Sequence, residues 1–100
     1  MKWVALFSQT GSEIVALSKA LGRAPDMIIT NNQDESKYKF ADGLLGLSYM
    51  TRSNHDELMK YLINEKDWLG DCLVTLHGYL RIIPPEVCNL YEMYNGHPGA

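Results

Sequence analysis

The sequence lacks an excess of basic residues, and this absence excludes one class of partner. Nine Lys and Arg stand against twelve Asp and Glu, which gives a formal net charge of -3 and a pI of about 5.5. A protein that binds polymeric nucleic acid needs a basic surface to neutralise the phosphates. We therefore expect no nucleic-acid partner.

Long apolar runs are also missing. The run that begins at Trp3 ends at Phe7, where the polar residues Ser8-Gln9-Thr10 follow. It is shorter than the apolar core of a secretory signal peptide, which has about 7–15 residues. We expect a cytoplasmic protein that does not bind a membrane.

Cysteine is scarce, and its spacing does not suit a metal site. Cys72 and Cys88 are the only two cysteines, and the sequence contains neither CxxC nor HExxH. With His77 and His97 they form no paired ligand spacing, so no metal is predicted. Both thiols lie in apolar stretches, where cysteine behaves as a small hydrophobic residue, and we expect them to be reduced.

Apolar runs alternate with helical periodicity along the chain. Strands are predicted at Lys2–Phe7, Met27–Thr30 and Cys72–Leu76, where short apolar stretches end at polar turns. A helix is predicted from Glu13 to Gly22, with Thr10 and Glu13 as a capping box.

A second helix is predicted after the N-terminal signal at Ser53-Asn54-His55-Asp56, and it should continue to about Lys66. Pro84-Pro85-Glu86 opens a short helix that carries Val87, Leu90 and Tyr91. The polar stretch 31–39 reads as a loop, and 40–47 stays unassigned because glycines interrupt it.

This alternation predicts a single α/β domain over residues 1–100, a Rossmann-like parallel sheet with helices on both faces. Parallel strands all end at one edge, so the loops that begin at Ser8, Asn31 and His77 should open toward one crevice.

Two short segments at this edge contain residues that could bind a ligand or act on one. Gln9-Thr10-Gly11-Ser12 joins a strand to a helix start, where free amides and the helix dipole favour a phosphate. An ordinary glycine turn explains the same residues. In Asn95-Gly96-His97-Pro98, an amide and an imidazole two residues apart can converge on one carbonyl, although a surface turn has the same composition.

Three segments in order resemble the glycinamide ribonucleotide formyltransferase family. KWVALFSQTGSEI, from Lys2 to Ile14, is similar to the first strand and SGxGSN phosphate loop of the family. LHGYLRIIPPEV, from Leu76 to Val87, looks like its LAGYMRILPPEF segment, and Asn95 to Pro98 resembles its NxHPS motif. Glu13 departs from the family Asn, His77 from Ala and Gly99 from Ser.

The resemblance implies a folate-dependent enzyme that transfers a formyl group from 10-formyltetrahydrofolate to a primary amine of a phosphorylated small molecule, such as glycinamide ribonucleotide. Asn95 and His97 would be catalytic, flanking the formyl group. The main chain of Arg81, Ile82 and Ile83 would line the folate pocket. Thr10, Gly11 and Ser12 would hold the phosphate of the acceptor.

Relatives of this kind continue well beyond the length of this chain and include a later catalytic Asp. The resemblance therefore implies that the carboxy-terminal part of the family fold is absent. An unpaired strand edge would then favour a homodimer or a complementary chain. Two alternatives stay open: a catalytically incomplete nucleotide-binding or assembly module of the same fold, and a generic flavodoxin-like domain with an accidental NGHP.

Overall fold

The computed structural model describes residues 1–34 and 50–95, with no side-chain description for 50–52. The strands are β1 (Lys2–Phe7), β2 (Met27–Thr30), β3 (Met50–Arg52), β4 (Cys72–His77) and β5 (Glu92–Asn95). The helices are α1 (Ser12–Leu21), α2 (His55–Asn64), α3 (Lys66–Leu69) and α4 (Pro85–Cys88). Most of the predicted loop 31–39 and the unassigned stretch 40–47 lie outside the described residues.

The described strands form one parallel sheet in the order β3-β2-β1-β4-β5. β1 lies in the middle and pairs with β2 through Val4 opposite Met27, and with β4 through Lys2 opposite Cys72. The three-residue β3 adds one edge to the four strands β2, β1, β4 and β5. This arrangement confirms the predicted α/β fold with an all-parallel, Rossmann-like sheet.

Side chains from alternate positions of β1 enter two separate cores. Trp3, Ala5 and Phe7 pack with Ile28 and with Ile14 of α1. The opposite face of the sheet packs against α2, α3 and α4. The buried residues of this second core, from strands, helices and Tyr91 before β5, are Val4, Leu6, Ile29, Leu58, Met59, Leu62, Leu69, Cys72, Val74, Val87 and Tyr91. Because helices cover both faces of the sheet, the side chains of β1 from Trp3 to Phe7 are buried on both sides.

The predicted strands β1 and β2 have the observed bounds, and β4 extends one residue further, to His77. Asn54 caps α2, since its side chain accepts a hydrogen bond from the Glu57 amide. That helix ends at Asn64, short of the predicted Lys66, and a separate turn of helix follows.

The predicted short helix at Pro84 is present, but its extent was wrong. α4 ends at Cys88, and the chain then enters β5, which sequence analysis did not predict. Tyr91 is buried between the two, where its hydroxyl donates to the carbonyl oxygen of Leu62. The spacing of Val87, Leu90 and Tyr91 suggested one helix, but Tyr91 lies beyond α4 and is buried through its contact with α2.

Cys72 is buried as predicted, whereas Cys88 is exposed, and neither forms a disulfide. Within the described ranges, no helix has both the length and the apolar character needed to cross a membrane.

Candidate functional site at the carboxyl edge of the sheet

Hydrogen bonds join the three loops that leave the carboxyl ends of β1, β2 and β4. The backbone amide of Leu80 donates to the Ser8 hydroxyl over 2.8 Å. The side-chain amide of Asn32 donates to the carbonyl oxygen of Gln9, also over 2.8 Å. The predicted meeting of these loops at one edge is confirmed.

The loop Gln9–Ser12 turns from β1 into α1 at a glycine in the left-handed region. Gly11 has a φ of 72° and occupies the N-cap position, where its carbonyl oxygen accepts from the Ile14 amide at 3.0 Å. Thr10 and Ser12 flank it with exposed side chains, and their hydroxyls lie 3.1 Å apart. The loop therefore presents two hydroxyls and a helix start toward solvent.

The predicted capping box of Thr10 and Glu13 was wrong. No side chain caps α1, and Glu13 instead contacts β4, where its Oε1 lies 2.8 Å from Nδ1 of His77. The two residues are 64 positions apart, so the local spacing that suggested a cap gave no sign of this competing partner.

His77 belongs to a chain of hydrogen bonds that runs from the cleft into the core. Its Nε2 lies 2.7 Å from the hydroxyl oxygen of Thr75, which accepts a hydrogen bond of 2.8 Å from the Trp3 indole. The His77 side chain is 1% exposed, whereas that of Glu13 is 37% exposed. Glu13 is thus the end of this chain that a ligand can reach.

The partners of His77 determine where one of its hydrogens lies. An ionised carboxylate only accepts hydrogen bonds, so Nδ1 of His77 must donate to Glu13. The Thr75 hydroxyl can accept from Trp3 and donate to Nε2 at the same time. The polar side-chain atoms of Trp3, Thr75 and His77, which are buried, then all have a partner, as burial requires.

Two clefts share Gln9 and Thr10 in their linings. One, of about 130 Å³, is lined by Gln9, Thr10, Gly11, Ser12, Glu13, His77 and Gly78. The other, of about 270 Å³, is lined by Ser8, Gln9, Thr10, Asn32 and Asp34. Each contains one carboxylate with several hydroxyls and amides, and neither has Lys or Arg among its described lining residues.

The predicted folate segment follows β4 and is largely exposed. Leu80 is 67% and Ile82 88% exposed, and Arg81 is also exposed, whereas Ile83 is partly buried against the core. Among the described residues, the main-chain groups of Arg81 and Ile82 form no hydrogen bond. The segment therefore offers apolar surface and main-chain donors and acceptors side by side.

A contact that sequence analysis missed attaches this segment to α2. Nδ1 of His55, the first residue of α2, lies 2.8 Å from the Tyr79 hydroxyl. Burial raises the pKa of Tyr79 to about 12, with a smaller opposing effect from Arg81, so its phenol stays protonated at neutral pH.

Asn95 is the last residue of β5 and lies at the same edge. It pairs in register with Leu76, one residue before His77, and it is exposed. The structure thus places Asn95 near the ends of β1 and β4. His97, with Gly96 and Pro98, lies outside the described residues.

No family model, curated protein or solved structure matches the chain. Within residues 1–34 and 50–95, no three His, Cys, Asp or Glu side chains converge closely enough to hold a metal ion.

Proposed function

We propose that the protein is a cytoplasmic, folate-dependent formyltransferase. It transfers the formyl group of 10-formyltetrahydrofolate to a primary amine of a phosphorylated small molecule, of which glycinamide ribonucleotide is one example. The proposal starts from the three segments that resemble formyltransferases.

The observation that carries the proposal is the hydrogen bond between the Leu80 amide and the Ser8 hydroxyl. It links the loop proposed to hold the acceptor with the segment proposed to hold the folate. The register of Asn95 with Leu76 brings this residue, the described part of the third segment, to the same edge. Described residues from all three segments that resemble one family therefore lie at one edge of the sheet.

The residues proposed for the folate suit a flat, heteroaromatic ring with polar edges. Leu80 and Ile82 expose aliphatic surface, against which such a ring can pack. The main-chain groups of Arg81 and Ile82 supply donors and acceptors for the ring edges. Ile83 contributes by packing against the core, which fixes the end of the segment.

The folate supplies the formyl group, and Asn95 acts on its oxygen. A side-chain amide that donates to this oxygen stabilises the negative charge that develops as the amine attacks. His97 is the proposed acid–base partner, since imidazole changes charge near neutral pH. A proton passes from the attacking amine to the departing folate nitrogen, which balances the transfer.

The test is a calorimetric titration with tetrahydrofolate, together with a formyl-transfer assay using 10-formyltetrahydrofolate and glycinamide ribonucleotide. Asn95→Ala and His97→Ala should each lower turnover by about 100-fold or more while folate still binds, because their contacts strengthen in the transition state. The matched control is Asn64→Ala, an exposed asparagine at the end of α2.

Turnover that survives both substitutions would contradict the assignment. Folate binding without turnover by the unmodified chain would favour the non-catalytic module, and absence of folate binding by the folded chain would favour a generic flavodoxin-like domain.

The proposed assembly uses the edge strand β5. In the described part of the chain β5 pairs only with β4, so the other side of residues 92–94 offers main-chain groups to a further strand. We propose pairing with a second copy or with a complementary chain. Light scattering on the purified protein should give the mass of a homodimer in the first case, and a monomer would exclude it.

A further inference from the structure

The Glu13 carboxylate is a part of the loop cleft that the proposed reaction leaves unused. His77 donates to one of its oxygens, Oε1, from the inner side of the cleft. The other oxygen, Oε2, forms no hydrogen bond with any described residue. Since Glu13 lines the cleft and is 37% exposed, this second oxygen is available to a ligand.

The carboxylate is oriented by buried neighbours. His77 is almost fully buried, and its Nε2 forms a hydrogen bond with the Thr75 hydroxyl. The Trp3 indole donates a hydrogen bond to the same hydroxyl. These three buried neighbours lie on β1 and β4, which pair at the centre of the sheet. Glu13 therefore presents its free oxygen from a fixed position and loses little conformational freedom when a ligand binds.

The remaining lining of the cleft is polar and uncharged. Gln9, Thr10 and Ser12 provide an amide and two hydroxyls, and no Lys or Arg contributes among the described residues. A phosphate dianion in this cleft would lie beside the carboxylate without a compensating cation, which disfavours binding. A group that donates hydrogen bonds would gain a charge-assisted bond to Glu13.

We propose that Glu13 determines the specificity of this cleft, and that it selects a ligand hydroxyl or ammonium group over a phosphate dianion. The inference rests on the proposed function and names the part of the acceptor that meets the loop. A phosphorylated acceptor then gains its affinity for this cleft from its hydroxyl or amino groups, whereas the resemblance implied that Thr10, Gly11 and Ser12 hold its phosphate. His77 is a positioning residue that acts through Glu13.

The experiment compares two probes by calorimetric titration of the full chain at pH 7. D-glucosamine carries an ammonium group and several hydroxyls without phosphate, and inorganic phosphate carries only the anion. Glu13→Gln keeps an oxygen that accepts from His77 but removes the charge. It should weaken glucosamine binding at least about fivefold, as expected for a lost charge-assisted hydrogen bond, and tighten phosphate binding.

Glu57→Gln is the matched control, because Glu57 is also an exposed glutamate in the first turn of a helix. It should change neither affinity. The opposite signs expected for Glu13→Gln separate specificity from misfolding, since a folding defect weakens both probes.

The proposal is overturned if glucosamine does not bind the unmodified chain, or if Glu13→Gln leaves the two affinities unchanged or shifts them in the same direction. Folate binding and formyl transfer are measured separately. If the unmodified chain neither binds folate nor transfers the formyl group, the proposed reaction is overturned, whereas the result of the two probes for Glu13 remains valid.

Discussion

The indole nitrogen of Trp3 lies 2.8 Å from the hydroxyl oxygen of Thr75, and this buried contact links the first strand to the fourth across 72 positions. Thr75 also contacts His77, so one hydroxyl serves two large side chains. The orientation of the cleft carboxylate thus depends on a residue that no ligand reaches.

Thr75→Val should therefore destabilise the fold. Valine has a similar shape but leaves the Trp3 N–H and Nε2 of His77 without a partner in the core, at a cost of about 1–3 kcal/mol per orphaned group. Urea unfolding measures the loss. Thr75→Ser keeps the hydroxyl and should retain more stability than the valine variant; equal stability of the two would contradict the role of the hydroxyl.

The hydrogen bond between Ser8 and Leu80 predicts a local effect. Ser8→Ala removes the acceptor of the Leu80 amide, so hydrogen exchange at that amide should accelerate while global stability falls by only about 1 kcal/mol. Exchange is followed by NMR. Ser53→Ala removes a hydroxyl that bonds only to the next residue and should leave Leu80 unchanged. Unchanged exchange in Ser8→Ala would show that the amide is protected by something else.

Ile82 allows folate binding to be separated from stability. Its side chain is 88% exposed, so Ile82→Ser should change the free energy of unfolding by no more than about 0.5 kcal/mol. Removing apolar surface that the folate ring covers should weaken tetrahydrofolate binding about tenfold. Leu21→Ser is the control, because Leu21 is 60% exposed at the far end of α1. Equal effects of both substitutions on binding would contradict the proposed folate surface.

Alkaline pH should destabilise the protein through two tyrosines. Burial raises the pKa of Tyr79 and of Tyr91 to about 12, whereas an unfolded tyrosine titrates near 10. The unfolded state therefore loses these protons first. The stability they contribute is complete below pH 10 and is lost as pH rises from about 10 to 12.

Urea unfolding between pH 9 and pH 12 tests this slope, and phenolate absorbance reports the ionisation itself. Tyr79→Phe and Tyr91→Phe should each flatten the alkaline decline. A decline as steep in the double variant as in the unmodified chain would assign it to other groups.

The extent to which the sequence predicts this structure depends on how local each signal is. β1, β2 and β4 were predicted because each is a compact apolar run buried in the sheet. β5 was missed because it is short and mostly exposed, and the apolar residues before it imitate a helix. The hydrogen bond from Tyr91 to Leu62 is a tertiary contact that favours the end of α4 and the start of β5 over a longer helix.

The candidate site divides in the same way. The meeting of three loops at one edge followed from parallel topology alone and is confirmed. The partner of Glu13 could not be predicted, since a glutamate three residues after a threonine fits a local cap as well as a contact with a histidine 64 positions away. The roles of Asn95, His97, Arg81, Ile82 and Ile83 stay predictions that rest on the resemblance.

The central position of β1 has a consequence for synthesis of the protein. Lys2 pairs with Cys72, so the middle strand of the sheet lacks one of its two neighbours until some seventy further residues have been made. At about 5–20 residues per second this takes several seconds, during which the apolar strand β1 has no partner on the side that later pairs with β4. Nascent chains of this protein should therefore bind chaperones at the ribosome. They should become protease-resistant only once β4 has left the exit tunnel.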